Sequence, residues 1–228
     1  MTTTLEALLG LRSTPVAISF LPSPPAGVAH VASAEPAGCG YWRRAAAGEV
    51  FYTESGDHLG CPVGAHTHGV PMDAAKAKEL EQLIGVMVGL EYLSMDEIPK
   101  IPTRRGAFGV VVYAPLGKSP VAPDVVLVRG DVRQLMLLTE AAQSANLGSG
   151  APTMGRPTCA VLPDAINSDR TSSSFGCIGN RVYTGASDNE GYFAIPGDQL
   201  SKLEARLAIV ARANVELEKF HRARLPVV

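Results

Sequence analysis

The stretch GAFGVVVYAPL, residues 106–116, decides the fold class, because it is apolar, rich in β-branched valine and bounded by glycine and proline. Such a run predicts a buried β-strand. PDVVLVRG (123–130) has the same character and predicts a second buried strand. The next segment, DVRQLMLLTEAAQSANLG (131–148), has helical spacing and ends on Gly148, which predicts a helix. Two buried strands followed by a helix indicate a sheet with helices packed on it.

The same signals predict further elements on both sides of this stretch. These are helices at 4–11, 41–51, 74–93 and 198–223 and strands at 15–21, 155–163 and 191–197. Strands and helices interleave, which predicts an α/β or α+β fold: a mixed sheet with helices packed on it and a long C-terminal helix. A chain of 228 residues suits a single domain covering residues 1–228.

Composition narrows the class of protein. The formal net charge is -2 and aromatic residues make up 6% of the chain, so no nucleic-acid-binding face is expected. No apolar run reaches 18 residues, and the N-terminus has no basic leader followed by an apolar stretch. We therefore expect no membrane span and a cytoplasmic location. Four cysteines are too few for a disulfide framework, which favours metal binding, catalysis or burial.

The four cysteines stand next to residues that bend or free the backbone. Their contexts are AGCGYW (37–42), LGCPVGAH (59–66), RPTCAVLP (156–163) and FGCIGNR (175–181). A glycine before a cysteine lets backbone amides approach a ligand sulfur closely, and amide hydrogen bonds tune metal–sulfur centres. We therefore predict that Cys39, Cys61, Cys159 and Cys177 bind one metal centre, with an iron–sulfur cluster of the 4Fe-4S type favoured.

The spacing of the cysteines separates this site from common zinc modules. Zinc ribbons use Cys-x2-Cys pairs, whereas at least 17 residues separate any two cysteines here. Four separate segments must therefore assemble the site, which is less typical of structural zinc than of a cluster. The predicted function is electron transfer or redox chemistry, with a redox protein as partner.

The spacing of the cysteines is loosely repeated in the two halves of the chain. Cys39 is followed 22 positions later by the cysteine of GCPVG (60–64), and Cys159 is followed 18 positions later by the cysteine of GCIG (176–179). This repeated spacing is either a coincidence or a pseudo-repeat, with halves at about 1–115 and 116–228.

Three other functions remain open at this stage. A haem protein would use Cys61 or one of His58, His66 and His68 as axial ligand, although two of these histidines are expected to be ordinary surface residues. A thiol enzyme would use Cys177 or Cys61 as nucleophile, beside Arg181 or His58. A non-enzymatic binding module would bury its cysteines as packing, and Cys159, inside a strand-like apolar run, fits that role best.

Two further features are candidates for function: polar residues near the cysteines, for ligand binding, and the last helix, for dimer formation. Arg43 and Arg181 are candidates for binding an anionic cofactor or substrate, and exposed arginines are the ordinary alternative. Asn180 either donates to a ligand or forms a left-handed turn. In the C-terminal helix, residues from Leu200 to His221 recur at heptad spacing, which permits a homodimer through this helix; packing on the sheet is the ordinary alternative.

The segments that carry the cysteines resemble a known family. They are CGYWRRAAAGEVFYT (39–53), HLGCPVGAHTHG (58–69), GRPTCAVLP (155–163) and SFGCIGNRVYTG (174–185). With these segments the chain resembles the bacterial and archaeal family called domain of unknown function 169, over most of its length. The resemblance implies that the four segments belong together in a cytoplasmic protein. It implies no activity, because the family is uncharacterised.

Overall fold

The structure, a computed structural model, describes residues 2–148 and 156–225, which form eight α-helices and six strands. The helices are α1 (Thr4–Leu9), α2 (Gly38–Ala46), α3 (Pro62–Thr67), α4 (Ala74–Gly89), α5 (Val132–Ser144), α6 (Val161–Ser168), α7 (Ile178–Thr184) and α8 (Leu200–Arg222). The strands are β1 (Val16–Leu21), β2 (Phe51–Glu54), β3 (Val110–Pro115), β4 (Val125–Asp131), β5 (Ser172–Ser174) and β6 (Glu190–Pro196).

The six strands form one sheet in the order β2-β3-β1-β4-β6-β5. Each neighbouring pair is antiparallel. The α+β form of the predicted fold is therefore confirmed, with helices on the sheet and a long helix at the C-terminus, and the sheet is antiparallel where a mixed sheet was predicted.

The sheet has the same strand order in its two halves. Counted outward from the central β1–β4 pair, each half presents its first, third and second strand. In each half a cysteine-bearing helical segment precedes the second strand, and a Gly-Cys turn follows it. A pseudo-repeat with halves near 1–115 and 116–228 would produce this order, and the repeat itself stays a prediction.

Alternating side chains of the central strands pack into two separate cores. Val125 and Leu127 of β4 point to the face covered by α2 and α6. Val126 and Val128 point to the opposite face, which α1, α5 and α8 cover. This period of two is that of a strand buried on both sides. The sheet thus separates the cysteine-bearing helices from the C-terminal helix.

Two segments differ from their sequence prediction. The run 155–163 was expected to be a strand; Gly155 lies outside the described residues, and the rest forms a 3-10 turn, Thr158–Ala160, followed by α6. Short apolar runs do not distinguish a strand from a buried helix, so packing determined this one. Helix α2 begins at Gly38, before the predicted 41, which brings Cys39 into its first turn. Sequence patterns also missed α3, α7 and the all-serine strand β5.

The C-terminal helix uses part of its heptad pattern inside the chain. Leu203 and Leu207 are fully buried, and Asn214 donates to Glu140 of α5 at 2.7 Å. Leu217, the next apolar position of the heptad pattern, is 53% exposed and is left for a partner. The homodimer through this helix stays a prediction. Within the described ranges, no helix has the length and apolar character needed to cross a membrane.

Candidate functional site

Each of the four cysteines lies where a helical segment begins. Cys39 is in the first turn of α2, and Cys61 is the residue that caps the N-terminus of α3. Cys159 is in the 3-10 turn that leads into α6, and Cys177 immediately precedes α7. All four segments cover the same face of the sheet or its margin, so residues far apart in sequence come together.

All four cysteines line one cavity of about 300 Å³, called here the cysteine cavity. Most of the remaining wall is apolar. It includes Leu83 and Met87 of α4, Tyr92, Leu93 and Ile101 of the segment after α4, and Ile178 and Tyr183 of α7. Arg156 also lines the cavity; its guanidinium lies 4.6 Å from the Tyr92 ring and 3.2 Å from Glu97.

Two glycines shape the turns that present Cys61 and Cys177. A side chain on Gly60 would place its Cβ 2.9 Å from the Glu35 carbonyl oxygen, so only glycine fits there without moving the backbone. Gly176 has a φ of 87°, a left-handed conformation that glycine adopts at little cost. Both positions follow the expectation that the glycine before the cysteine serves backbone geometry.

Two of the sulfurs already accept hydrogen bonds. The Gly64 amide donates to Cys61 Sγ at 3.4 Å. The Thr67 hydroxyl lies 3.2 Å from Cys159 Sγ and 3.0 Å from the Gly64 carbonyl oxygen, so its one proton is shared between these two acceptors. The Cys177 amide donates to the Thr158 hydroxyl, which joins the segments that carry Cys177 and Cys159. Donors directed at sulfur are the contacts by which proteins tune metal–thiolate centres.

Burial keeps three of the thiols in their neutral form. It raises the pKa of Cys39 to about 12, raises the pKa of Cys61, and holds the pKa of Cys159 far above its ordinary value. The thiolate is the nucleophile in cysteine chemistry, so these three residues lack the usual mark of a reactive cysteine. A metal would replace these protons on binding.

Asn180 is a buried polar residue in the wall of the cysteine cavity. It follows Cys177 by three residues, it is 3% exposed, and neither amide atom makes a hydrogen bond of normal geometry within the described residues. Burial raises the pKa of both Cys39 and Tyr192, and the nearby Asn180 amide opposes both rises. The Asn180 amide is therefore close to the Cys39 sulfur, but within the described residues it makes no hydrogen bond of normal geometry. Its role in binding a cofactor stays a prediction.

The structure does not bring Arg43 or Arg181 into the lining of the cysteine cavity. Arg43 is on the outer side of α2, where its guanidinium lies 3.5 Å from Glu35. Arg181 donates to the carbonyl oxygens of Phe175, Ser187 and Glu190, so its guanidinium is occupied by the backbone around the Cys177 turn. Its observed contacts support that turn rather than a ligand.

Replacement of Arg181 by methionine is expected to lower the free energy of unfolding by about 1 to 3 kcal/mol, because three carbonyl oxygens lose a charged donor. Urea denaturation measures the change. The control is Arg133→Met, because the one ion pair of Arg133 among the described residues is with Glu218 at the surface, at 3.1 Å, and its loss should change stability by less than about 0.5 kcal/mol. Equal effects of the two substitutions would contradict the supporting role of Arg181.

The histidines lie differently from the sequence expectation. His58 and His68 are 2% and 0% exposed, so the expectation that two of the three histidines are ordinary surface residues is wrong. Their rings are 5.7 Å apart, and His58 Nε2 pairs with the Thr53 hydroxyl at 2.8 Å. His58 Nδ1 and both His68 nitrogens have no hydrogen-bond partner among the described residues. None of His58, His66 and His68 is in the lining of the cysteine cavity.

The four thiols surround the cavity without meeting at one point. In residues 2–148 and 156–225, no group of three or more histidine, cysteine, aspartate or glutamate side chains is arranged to hold a single metal ion. The arrangement is thus a lined cavity and differs from a closed mononuclear centre, whose ligands all lie about 2.3 Å from one ion.

Comparison with known proteins gives a family and nothing further. The model of the DUF169 family, described as "Uncharacterised ArCR", matches residues 4–206. No curated protein and no solved structure matches the chain.

Proposed function

Because the chain belongs to the DUF169 family, whose description assigns no activity, we propose a function from the cysteine cavity itself: it binds an iron–sulfur cluster, of the 4Fe-4S type, for electron transfer. One observation carries the proposal. Four thiols from four separate segments line one largely apolar cavity of about 300 Å³. Cysteine thiolates are the usual ligands of such clusters, four to a cluster.

The shape of the site supports a cluster over a single zinc ion and over a histidine-ligated haem. A zinc ion needs ligands that converge on one point, whereas these thiols are distributed around a cavity. A haem with a histidine axial ligand needs an imidazole in the cavity wall, and the buried His58 and His68 are outside that wall. A polynuclear cluster bridges separated thiolates and has the donor set that the cavity supplies.

Residues around the cavity have clear tasks in this function. Cys39, Cys61, Cys159 and Cys177 would hold the cluster, which when bound supplies one-electron transfer. The Gly64 amide and the Thr67 hydroxyl already donate to ligand sulfurs, and the unpartnered Asn180 amide is positioned to donate to Cys39. Such donors stabilise the more negative, reduced state and so raise the reduction potential. The apolar wall limits access of water, and a redox protein would deliver or accept the electron.

Anaerobic reconstitution tests the proposal. The full chain is incubated with ferrous iron, sulfide and a thiol reductant, desalted, and analysed for metal and visible absorption. We expect a brown protein with about four iron and about four sulfide per chain, bleached by dithionite. A colourless, iron-free chain after reconstitution would overturn the proposal. So would one tightly bound zinc ion per chain, or a stoichiometric haem complex formed instead of a cluster.

A further inference from the structure

A second cavity, of about 410 Å³, lies beyond Tyr192, whose phenol neighbours Asn180 of the cysteine cavity. We call it the arginine cavity, because arginines from three separate segments line it. They are Arg12 in the loop before β1, Arg43 on α2 and Arg129 on β4. Ser13, Thr14 and Ser187 add hydroxyl groups, and Trp42, Ala46 and Ala47 add apolar surface.

The one acidic residue in this lining is already neutralised. Glu190 accepts from Arg129 at 2.6 Å and from the amide and hydroxyl of Ser187 at 2.8 and 2.6 Å. Arg129 also donates to the carbonyl oxygens of Thr184 and Gly185. The charges of Glu190 and Arg129 therefore compensate each other, and the other two arginines determine the charge available to a ligand.

Arg12 and Arg43 are available to a ligand. In the part of the chain that the structure describes, Arg12 has no ion pair or hydrogen bond of its guanidinium. The ion pair that the described residues give Arg43 is with the Glu35 carboxylate at 3.5 Å, and the Arg43 side chain is 54% exposed. Two lining atoms that lack a partner, Trp42 Nε1 and Arg129 Nε, are also donors. The charge of Arg12 and Arg43 and the unpartnered N–H donors of this cavity thus favour an acceptor with negative charge.

We propose that the arginine cavity binds a small organic anion, whose carboxylate or phosphate oxygens pair with Arg12 and Arg43. Guanidinium groups bind both oxyanions through paired N–H donors. A volume of about 410 Å³ exceeds that of an inorganic ion and is within the range of small-molecule sites. The apolar part of the ligand would contact Trp42 and the adjacent alanines. This site is separate from the proposed cluster and does not depend on it.

The position of Trp42 allows a direct test, because it is the only tryptophan in the chain. The iron-free protein is titrated with inorganic phosphate, glycerol 3-phosphate and citrate at constant ionic strength, and tryptophan fluorescence is recorded. We expect a saturable change, and the anion that saturates at the lowest concentration identifies a phosphate or a carboxylate as the preferred head group. In the double variant Arg12→Gln/Arg43→Gln, we expect the half-saturating concentration to rise at least tenfold.

A matched double variant controls for charge. Arg105→Gln/Arg133→Gln removes the same charge from exposed residues outside the arginine cavity, and it should bind like the wild type. Urea denaturation of both double variants shows whether they remain folded. The proposal is overturned if none of the three anions gives a saturable change, if sodium chloride alone reproduces the change, or if both double variants bind equally.

Discussion

Replacement of Cys61 or Cys177 by alanine is expected to reduce the iron bound after reconstitution from about four atoms per chain to below about one. The reason is geometric: each thiol comes from a different segment, so no neighbouring thiol in the same turn can replace it. The same loss is expected for Cys39→Ala, whose sulfur neighbours the Asn180 amide. Iron and sulfide analysis, with the visible spectrum, measures the loss.

Cys159 is the informative member of this series. It lines the cavity, but its sulfur already accepts a hydrogen bond from Thr67, and it packs against the core. Loss of the cluster in Cys159→Ala would show four-cysteine ligation, and retention would show ligation by the other three. Val63→Ala is the control, since Val63 lines the same cavity without a ligand atom and should keep its iron. If none of the four cysteine variants lost iron, the cysteine cavity would not be the cluster site.

The second large effect concerns acid stability. The iron-free protein is expected to lose up to about 4 kcal/mol of unfolding free energy between pH 7 and pH 5. Burial lowers the pKa of His58 to about 3, with His68 adding to the effect, and burial and then Arg104 lower the pKa of His68 to about 4. In the unfolded chain both titrate near 6.5.

The sign follows from proton binding. Below pH 6.5 both histidines bind a proton in the unfolded state. In the folded state they remain neutral until the pH falls to about 4 for His68 and about 3 for His58. The stabilisation is therefore complete above the unfolded pKa and is lost as the pH falls, at about 1.4 kcal/mol per unit for each histidine. Urea denaturation at several pH values measures the slope, and NMR titration of the imidazoles measures both pKa values directly. His221→Gln, at an exposed position, should leave the slope unchanged. A folded-state pKa near 6.5 for both buried histidines would refute this prediction.

The fold was predictable where local pattern and burial agree. The valine-rich strand β3 and residues Val125–Val128 of β4 are buried, so their composition indicates that both strands lie inside the sheet rather than at its edges. Strand β5 was not predictable, because Ser172, Ser173 and Ser174 carry no apolar signal and form a strand only by pairing with β6. The segment around Cys159 failed for the opposite reason. Its apolar residues satisfy a strand and a buried helix equally, and contact with the sheet selects the helix.

The candidate site was predictable in its residue types and not in its surroundings. Gly-Cys turns indicated the positions where backbone and sulfur approach each other, and Gly60 and Gly176 have that role. The burial of His58 and His68 had no local signal, because a histidine-rich loop and a buried pair have the same sequence. Arg43 and Arg181 were grouped with the cysteines by proximity in sequence. In the structure Arg43 lines the arginine cavity, and Arg181 donates to backbone carbonyl oxygens around the Cys177 turn.

The sequence by itself determined the α+β class, the two interior strands β3 and β4, the family and the four cysteines as a candidate set. These follow from local composition and from sequence motifs that can be identified without knowing the tertiary contacts. Only the tertiary structure decided that the four cysteines line one cavity, that α4 and α7 complete its apolar wall, and that Arg12 and Arg43 line a second cavity. The physical reason is distance along the chain. At least 17 residues separate any two cysteines, and no local interaction spans that interval; the pairing of β1 with β4 joins the two halves of the chain in one sheet.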